Sequence, residues 1–345
     1  MTESLLNLPV FFWVVIFAAL AFDFANGWND TANAVATVIS TRVLRPGAAI
    51  ILSAVLNFIG ALLSTKVAKT IGGGIINPAA VQNISGSYVI LAAMLGAVAW
   101  VAITTIKGLP ISGSHSLIGG LIGAAVAFFG WKVVVVGGII KVLVAMLLSP
   151  VLGMLLGFIV LKLSYRVASW MRPNRVQRVF SWIQIGTASA MSLMHGQNDA
   201  QKVMGVITLL LFTGGYFGAA EFSQVQVPIW VMLACGMAMA LGTATGGKPV
   251  IKTLGSRLSH LRPIEGAAAE SAASIVLEAA ASLGVPVSTT HTITGSIVGV
   301  GTAKRMKAVK WATGFKIVYA WIFTLPITAL AAAGFAWLIR LLLPH

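Results

Sequence analysis

The chain has few charged residues and very few acidic ones. Of its 345 residues, 9% are charged and only eight are Asp or Glu, whereas an ordinary soluble domain is about 25% charged. This scarcity of charge excludes a soluble globular protein. The single cysteine, Cys235, excludes a disulfide, a Cys-rich zinc site and an iron–sulfur cluster built from this chain alone.

Hydrophobic residues make up 58% of the chain and are grouped in blocks of about 20 residues, the length that crosses a hydrocarbon layer of about 30 Å. We therefore predict an all-α polytopic membrane protein. The apolar blocks cover residues 9–40, 47–64, 88–106, 109–130, 133–161, 180–213, 227–245, 264–283, 286–302 and 317–340.

Four of these blocks are irregular. The first and sixth are too long for one span, and we expect them to be interrupted at Gly27 and Gly196. The fourth and ninth open with Gly-x-Pro followed by hydroxyl residues, and we expect their helices to restart at Leu117 and Ile293. Such breaks are tolerated at membrane depth only inside the protein, so the pattern predicts broken and re-entrant helices.

The net charge of +15 does not indicate nucleic-acid binding, because the basic residues are scattered between apolar blocks without interleaved exposed aromatics. They instead indicate topology, since short cytoplasmic loops collect Lys and Arg. Residues 162–178 contain five of them, so we place this segment in the cytoplasm. If the loops on either side of this segment alternate between outside and inside, 17 basic residues fall on the inside and four on the outside. This distribution favours ten crossings with both termini outside. We expect the protein in the cell (inner) membrane.

Two short motifs occur twice, in the same order. Gly27–Asn33 (GWNDTAN) matches Gly196–Lys202 (GQNDAQK), and Gly108–His115 (GLPISGSH) matches Gly284–His291 (GVPVSTTH). Each half has five crossings, so the second half starts on the opposite side of the membrane from the first. The second copy is therefore inverted relative to the first. Inverted repeats with discontinuous helices are typical of secondary transporters, whose site lies near the membrane midplane.

The repeat divides the chain into two predicted units. Residues 1–161 form the first inverted repeat and residues 180–345 the second, and residues 162–179 form a basic cytoplasmic linker between them. The first motif pair aligns Asp30 with Asp199.

Acidic residues inside the membrane need a partner, because each costs about 2.5 to 3.5 kcal/mol to insert. A bound cation or a proton is the simplest partner, and Asp and Asn supply the hard oxygen ligands that a sodium-sized ion prefers. The alternative is that each polar side chain only hydrogen-bonds a neighbouring helix. The candidate cation ligands in the two motifs, or just before the first of them, are Asp23, Asn26, Asn29, Asp30, Asn33, Asn198 and Asp199.

The second motif pair predicts an oxyanion site. Gly and Pro break the chain, hydroxyl residues follow, and the restarting helix presents free backbone N–H groups to an anion. The alternative is that each hydroxyl is only a helix N-cap. The roles of His115 and His291 stay open between orienting the turn, carrying a proton and binding the ligand. The candidate anion ligands are Ser112, Gly113, Ser114, His115, Ser288, Thr289 and Thr290.

Phosphate is the favoured substrate, because it keeps a proton near neutral pH and sulfate does not. A site with both hydroxyl donors and a carboxylate acceptor therefore prefers phosphate. A sulfate or other oxyanion permease on the same scaffold is the alternative. An anion channel is disfavoured by the duplicated carboxylates, and a membrane phosphatase would need an acid recruited from another segment, so we do not expect an enzyme.

The paired motifs resemble those of the inorganic phosphate transporter (PiT) family, whose signature G-x-N-D-x-x-N-A recurs in each half. Here it reads GWNDTANA at 27–34 and, more loosely, HGQNDAQK at 195–202. The resemblance implies symport of phosphate with Na⁺ or H⁺ through two inverted repeats, without a further cofactor. It implies that the Ser and Thr turns bind phosphate, that the Asp and Asn positions bind the cation, and that Glu270 matches an acidic position of the family's second half.

Two positions depart from the expected pattern. The first-half position that corresponds to Glu270 is Asn57, and the second departure is Lys202. Lys202 stands where symmetry would place the partner of Asn33, and its ammonium would either occupy a cation position or donate to phosphate. We therefore predict fewer sodium ions than a symmetric site would hold, with proton coupling as the alternative. The resemblance alone also implies a homodimer and control by a soluble PhoU-like partner.

Overall fold

The computed structural model describes residues 8–81, 84–219 and 221–342, which form an all-helical fold. Within these ranges twelve α-helices occur, and the extended pairing is limited to two isolated bridges. The helices of the first half are α1 (Val10–Ser40), α2 (Pro46–Ala61), α3 (Lys66–Gly74), α4 (Ile84–Ile106), α5 (Gly113–Phe129) and α6 (Val136–Ala168). Those of the second half are α7 (Pro173–Thr213), α8 (Ile229–Thr245), α9 (Lys248–Lys252), α10 (Pro263–Ser282), α11 (Thr289–Lys304) and α12 (Trp311–Leu342).

Each of the ten predicted apolar blocks coincides with a helix, so the all-α prediction is confirmed. By length and composition alone, four helices can cross a membrane, or up to six if each of two bent pairs counts as one span. The four are α1, α4, α6 and α12. The ten crossings with both termini outside stay a prediction.

Two helices were not predicted, namely α3 and α9. Helix α3 continues α2 after a bend of 72°, and α9 with the π-helical turn Thr253–Leu258 continues α8 after a bend of 65°. Both are too short to stand out as apolar blocks, and both contain two lysines, with α3 also rich in Gly. The bent pairs occupy equivalent places in the two halves, which supports the internal repeat.

The predicted breaks at Gly27 and Gly196 are wrong, since α1 and α7 are continuous helices of 31 and 41 residues. These glycines serve close packing instead. A β-carbon at Gly27 would collide with the backbone carbonyl of Met239, and one at Gly196 with the backbone of Asn57. The missing side chains therefore let α1 approach α8 and let α7 approach α2.

The short helices α5 and α11 begin earlier than predicted, at Gly113 and Thr289 and not at Leu117 and Ile293. The reason is that the preceding serines already act as N-caps. The turns before them are set by Gly108 and Gly284, whose φ angles of 69° and 65° lie in the left-handed region that favours glycine.

The basic segment 162–179, predicted as a linker, is mostly helical. Its first residues belong to α6 and its last to α7, and only residues 169–172 lie between the two helices. The division of the chain at this segment stays a prediction.

The two halves interleave. Helix α5 packs along α12, and α11 packs along α6. The bent helix of each half also holds the turn of the other half, because the Thr70 hydroxyl donates to the Gly284 carbonyl (2.7 Å) and the Thr253 hydroxyl donates to the Gly108 carbonyl (2.8 Å). The halves therefore form one packed unit around the two short helices.

Because α7 lies so close to α2 at Gly196, adding a single methyl group there should destabilise the protein. Gly196→Ala should lower the thermal unfolding midpoint of the purified protein, since overpacking costs about 1–3 kcal/mol. Gly186→Ala is the matched control on the same helix, with no atom within 4 Å of the added carbon, and should leave the midpoint unchanged or raise it. Equal midpoints for the two variants would contradict the packing role of Gly196.

Candidate functional site

Two aspartates from the two halves meet in the interior. Asp30 of α1 and Asp199 of α7 are each 1% exposed, and the imidazole of His195 lies between them, with Nε2 3.9 Å from Asp30 Oδ2 and 3.7 Å from Asp199 Oδ2. One ligand atom from each of the three residues lies within 4.8 Å of the others. We call Asp30, His195, Asp199 and Lys202 the central cluster. Its two carboxylates are close enough to share one bound ion.

Asp199 has a resident counter-charge. The Lys202 ammonium, 2% exposed, donates to Asp199 Oδ1 at 2.6 Å. The second oxygen accepts from Asn26 Nδ2 (3.1 Å) and from the Thr289 hydroxyl (3.2 Å). Because a buried carboxylate with an ammonium and two further donors is fully compensated, Asp199 needs no mobile cation in this conformation.

Within the described ranges, Asp30 has no lysine or arginine as a counter-charge. Its Oδ1 accepts from the Thr290 hydroxyl at 2.9 Å, and its Oδ2 is buried without a hydrogen-bond partner among the described residues. Asn33 Nδ2 donates to Thr290 (2.9 Å) and Thr289 (3.3 Å). Asn33 Oδ1 and Asn26 Oδ1 are buried and have no hydrogen-bond partner among the residues that the structure describes. The two halves thus differ in charge at equivalent positions.

The two short helices place their N-termini beside this cluster. Ser112 and Ser288 are N-caps, since their hydroxyls accept from the backbone N–H groups of His115 (3.1 Å) and His291 (3.2 Å). The two turns also touch each other, because the Ser114 hydroxyl donates to the Val287 carbonyl at 3.0 Å. Gly113 lies against Asn26, whose Oδ1 would overlap any β-carbon at that position.

The two histidines of the turns form a buried pair. The ring centroids of His115 and His291 are 4.8 Å apart, and His291 stacks on Trp321 of α12 at 3.8 Å. The Trp321 indole N–H in turn donates to the Pro110 carbonyl at 3.1 Å. These contacts hold the two turns together, which agrees with the orienting role.

Some predicted ligands do not join the cluster. The amide of Asn29 donates to the Thr105 hydroxyl (2.7 Å), and the amide of Asn198 donates to the carbonyls of Met194 (3.0 Å) and Leu277 (3.2 Å). These two side chains tie helices together, as the alternative interpretation expects.

Glu270 and Asp23 also lie apart from the central cluster. The Glu270 carboxylate accepts from Thr37, Thr187 and Gln184, which join α10 to α1 and α7. Asp23 is fully buried beside Cys235, and neither carboxylate oxygen has a hydrogen-bond partner within the described part of the chain.

His195 was not predicted as a site residue. Two signals were present, since it lies four residues before Asp199 and occupies the repeat position of Asn26. Side chains at i and i+4 share a helix face, so the pair could have been recognised. Its orientation, however, depends on Asn57 of α2, which contacts His195 Nδ1 at 2.9 Å.

The buried Asp199–Lys202 ion pair predicts that substitutions of the two residues have non-additive effects on stability. Lys202→Met should destabilise the protein by about 3–5 kcal/mol, because it leaves Asp199 as an uncompensated buried charge. Adding Asp199→Asn should recover much of that loss, as measured by thermal unfolding in detergent. Simple additivity of the two single variants would contradict the pairing.

Comparison with known proteins identifies the family. The model of the "Phosphate transporter family" matches residues 26–332. The probable low-affinity inorganic phosphate transporter of Bacillus subtilis (strain 168) is 44% identical over 323 residues, covering 93% of this chain and 94% of the relative. That of Rhizobium meliloti (strain 1021) is 45% identical over 324 residues, covering 92% and 93%.

A solved structure described as "The sodium-dependent phosphate transporter" has the same fold, with a TM-score of 0.89 and 25% identity over 97% of this chain and 100% of that chain. The predicted polytopic membrane fold and the resemblance to the PiT family are both confirmed. The chain belongs to the phosphate transporter family.

Proposed function

We propose that the protein is a secondary symporter that moves inorganic phosphate with a coupling cation, Na⁺ or H⁺, by alternating access across the cell (inner) membrane. The observation that carries this proposal is the contrast between Asp199, which has a tethered ammonium, and Asp30, which has none. The similarity to probable inorganic phosphate transporters and to a sodium-dependent phosphate transporter supports both the substrate and the cation.

The atoms around Asp30 favour a cation. Four buried atoms here have no hydrogen-bond partner in the described ranges, namely Asp30 Oδ2, Asn26 Oδ1, Asn33 Oδ1 and His195 Nε2. The oxygens are all acceptors, and burying acceptors without a partner is costly. A sodium ion would take the hard oxygens as ligands, and a proton would convert Asp30 Oδ2 into a donor.

Charge balance supports coupling. With both carboxylates ionised, Asp30 and Asp199 would carry two negative charges against the single positive charge of Lys202, so the cluster would be negative before any ligand arrives. Phosphate adds at least one more negative charge. Because an uncompensated buried charge is expensive, phosphate docks favourably only together with a cation, and the gradient of one ion can drive the other.

The helix N-termini supply the anion side of the site. The hydroxyls of Thr289 and Thr290 sit at the start of α11 and donate to the two aspartates, so a cation that binds the carboxylates would release these hydroxyls to phosphate. Backbone N–H groups at the starts of α5 and α11 add to the cradle. The N-cap hydroxyls of Ser112 and Ser288 already accept one hydrogen bond and remain able to donate.

Burial of the cluster supports alternating access. Its four side chains are at most 2% exposed, so ligands cannot leave to either side without a rearrangement. Interleaved inverted repeats with a site at their interface suit a rocking motion of one half against the other. The homodimer and the PhoU-like regulator stay predictions.

Asp30→Asn should abolish cation-driven phosphate uptake by reconstituted protein while expression stays normal, because the amide cannot neutralise a cation. Asp199→Asn should do the same by leaving Lys202 without its counter-charge. Glu278→Gln, an exposed carboxylate on α10, is the control and should transport normally. Near-normal uptake by both aspartate variants would remove the cation assignment.

Phosphate uptake by the wild-type protein in vesicles, measured under an imposed Na⁺ gradient or an imposed pH gradient, distinguishes Na⁺ from H⁺ as the coupling ion. Uptake driven by inward Na⁺ and insensitive to a pH gradient would exclude the proton version, and the converse would exclude sodium.

Lys202→Asn, which copies Asn33 of the first half, should make phosphate uptake depend more steeply on cation concentration, because a mobile ion then replaces the tethered charge. An unchanged dependence in a folded variant would contradict the role of Lys202 as a resident cation.

A further inference from the structure

A third short motif occurs in both halves, on the bent helices. It reads KTIG at 69–72 on α3, and KTLG at 252–255, where α9 runs into the π-helical turn. Each Thr donates its hydroxyl to a glycine carbonyl of the opposite half, and each Gly packs where a β-carbon would collide with a neighbour. Packing therefore accounts for the Thr and the Gly of the motif but not for its Lys.

Each of these lysines lines a cavity. The α3 cavity, about 610 Å³, is lined by Lys69 and Thr70 of α3 and by Lys141 of α6. The α9 cavity, about 510 Å³, is lined by Lys248 and Lys252. All four lysines are exposed. Since a water molecule takes about 30 Å³, each cavity has room for a small hydrated anion.

The two cavities lie at opposite ends of α1. The α9 cavity is lined by Ile39 and Ser40, at the end of that helix. The α3 cavity is lined by Phe212, and four residues later Tyr216 packs on Phe12, at the start of α1, with ring centroids 5.5 Å apart. Because α1 has 31 residues and the length and composition of a membrane span, the cavities open on opposite faces of the membrane.

Positive charge is in excess in both cavities. Among the described residues, none of the four ammonium groups lies within 4.0 Å of a carboxylate oxygen. Glu221 is the acidic residue in the lining of the α3 cavity, and its Oε2 accepts from the Ser223 hydroxyl at 3.0 Å. The residues that line the α9 cavity include no acid. A lysine ammonium is a compact charge that binds phosphate groups.

Each motif is also tied to one of the two candidate anion turns. Thr70, in the lining of the α3 cavity, holds the carbonyl of Gly284, the first residue of the turn that carries Thr289. Thr253, next to Lys252, holds the carbonyl of Gly108, the first residue of the other turn. An anion at either lysine is therefore close to the loop that leads to the central cluster.

We propose that the α3 and α9 cavities are docking sites for phosphate at the two mouths of the transport path, with Lys69 and Lys252 as their anion ligands; this inference rests on the proposed function. Positive charge at the mouth of a path raises the local concentration of an anion and its rate of entry. Exposed lysines hold the ion weakly, and this suits a site that the ion must leave for the interior.

Sided membrane vesicles test this proposal, with the full-length protein expressed in a host that lacks other phosphate uptake. Lys69→Gln should raise the KM for phosphate by about tenfold at low ionic strength in vesicles of one orientation only, and Lys252→Gln only in vesicles of the opposite orientation. Maximal rates should stay unchanged, because docking precedes the rate-limiting steps of transport. The difference from the wild type should shrink in high salt, which screens exposed charges.

Matched controls separate local docking from the overall charge of each face. Lys132→Gln and Lys307→Gln remove exposed lysines that do not line either cavity, and both should keep the wild-type KM. Lys69→Arg and Lys252→Arg retain the charge and should stay within about twofold of the wild type.

A lipid headgroup carries the same phosphate chemistry, so the purified Lys69→Gln/Lys252→Gln protein is also compared with the wild type in two kinds of proteoliposome. The KM should rise in phosphatidylcholine alone and in phosphatidylcholine with phosphatidylglycerol. A rise that occurs only with phosphatidylglycerol would assign the cavities to lipid and overturn the docking of free phosphate.

An unchanged KM in the single variants, or an equal rise in the Lys132 and Lys307 controls, would also contradict the proposal. So would a lower maximal rate at unchanged KM, which indicates a structural role for the lysines. Absence of phosphate uptake by the wild-type protein in every vesicle would instead remove the proposed function.

Discussion

The structure depends on bringing two carboxylates, one from each half, into a single dry interior site while giving only one of them a permanent counter-charge. The Asp199–Lys202 pair is complete by itself, with an Nζ–Oδ1 distance of 2.6 Å. Asp30, at the equivalent position, is surrounded by acceptors that lack donors in the described residues. The two aspartates occupy equivalent positions, but only Asp199 has a lysine partner. On the proposed function, the coupling cation would therefore bind at Asp30, in the first half.

Much of the packing serves to hold this site together. Gly27 and Gly196 let the long helices approach their neighbours closely at the level of the aspartates, and the Ser N-caps start the short helices where their hydroxyl residues reach the carboxylates. A side chain at Gly113 would displace Asn26 and with it one donor to Asp199. Substitution of these glycines or capping serines would therefore disturb the site through its packing.

The helical blocks could be predicted because they are apolar runs in the sequence. The repeat and the paired aspartates could be predicted because the same short motifs occur twice. The sequence did not show α3 and α9, whose shortness and lysines hide them, and two glycines were misjudged, because glycine marks a break and a close contact alike. The roles of Asn29 and Asn198 could not be separated from those of Asn26 and Asn33. Spacing alone does not say which helix each side chain meets.

His195 shows the same limit most clearly. Its position in the motif was readable, and yet the orientation of its ring depends on Asn57, a residue 138 positions away. Long-range contacts of this kind need the folded chain.

The reciprocal ties of Thr70 to Gly284 and Thr253 to Gly108 have an energetic consequence for a cycle of the proposed kind. Each of the two bonds joins a threonine hydroxyl of one half to a glycine carbonyl of the other half, so the two contacts have the same chemistry. In the proposed alternating-access cycle, losing one bond or the other would carry about the same free-energy cost, so these two ties would bias neither open state.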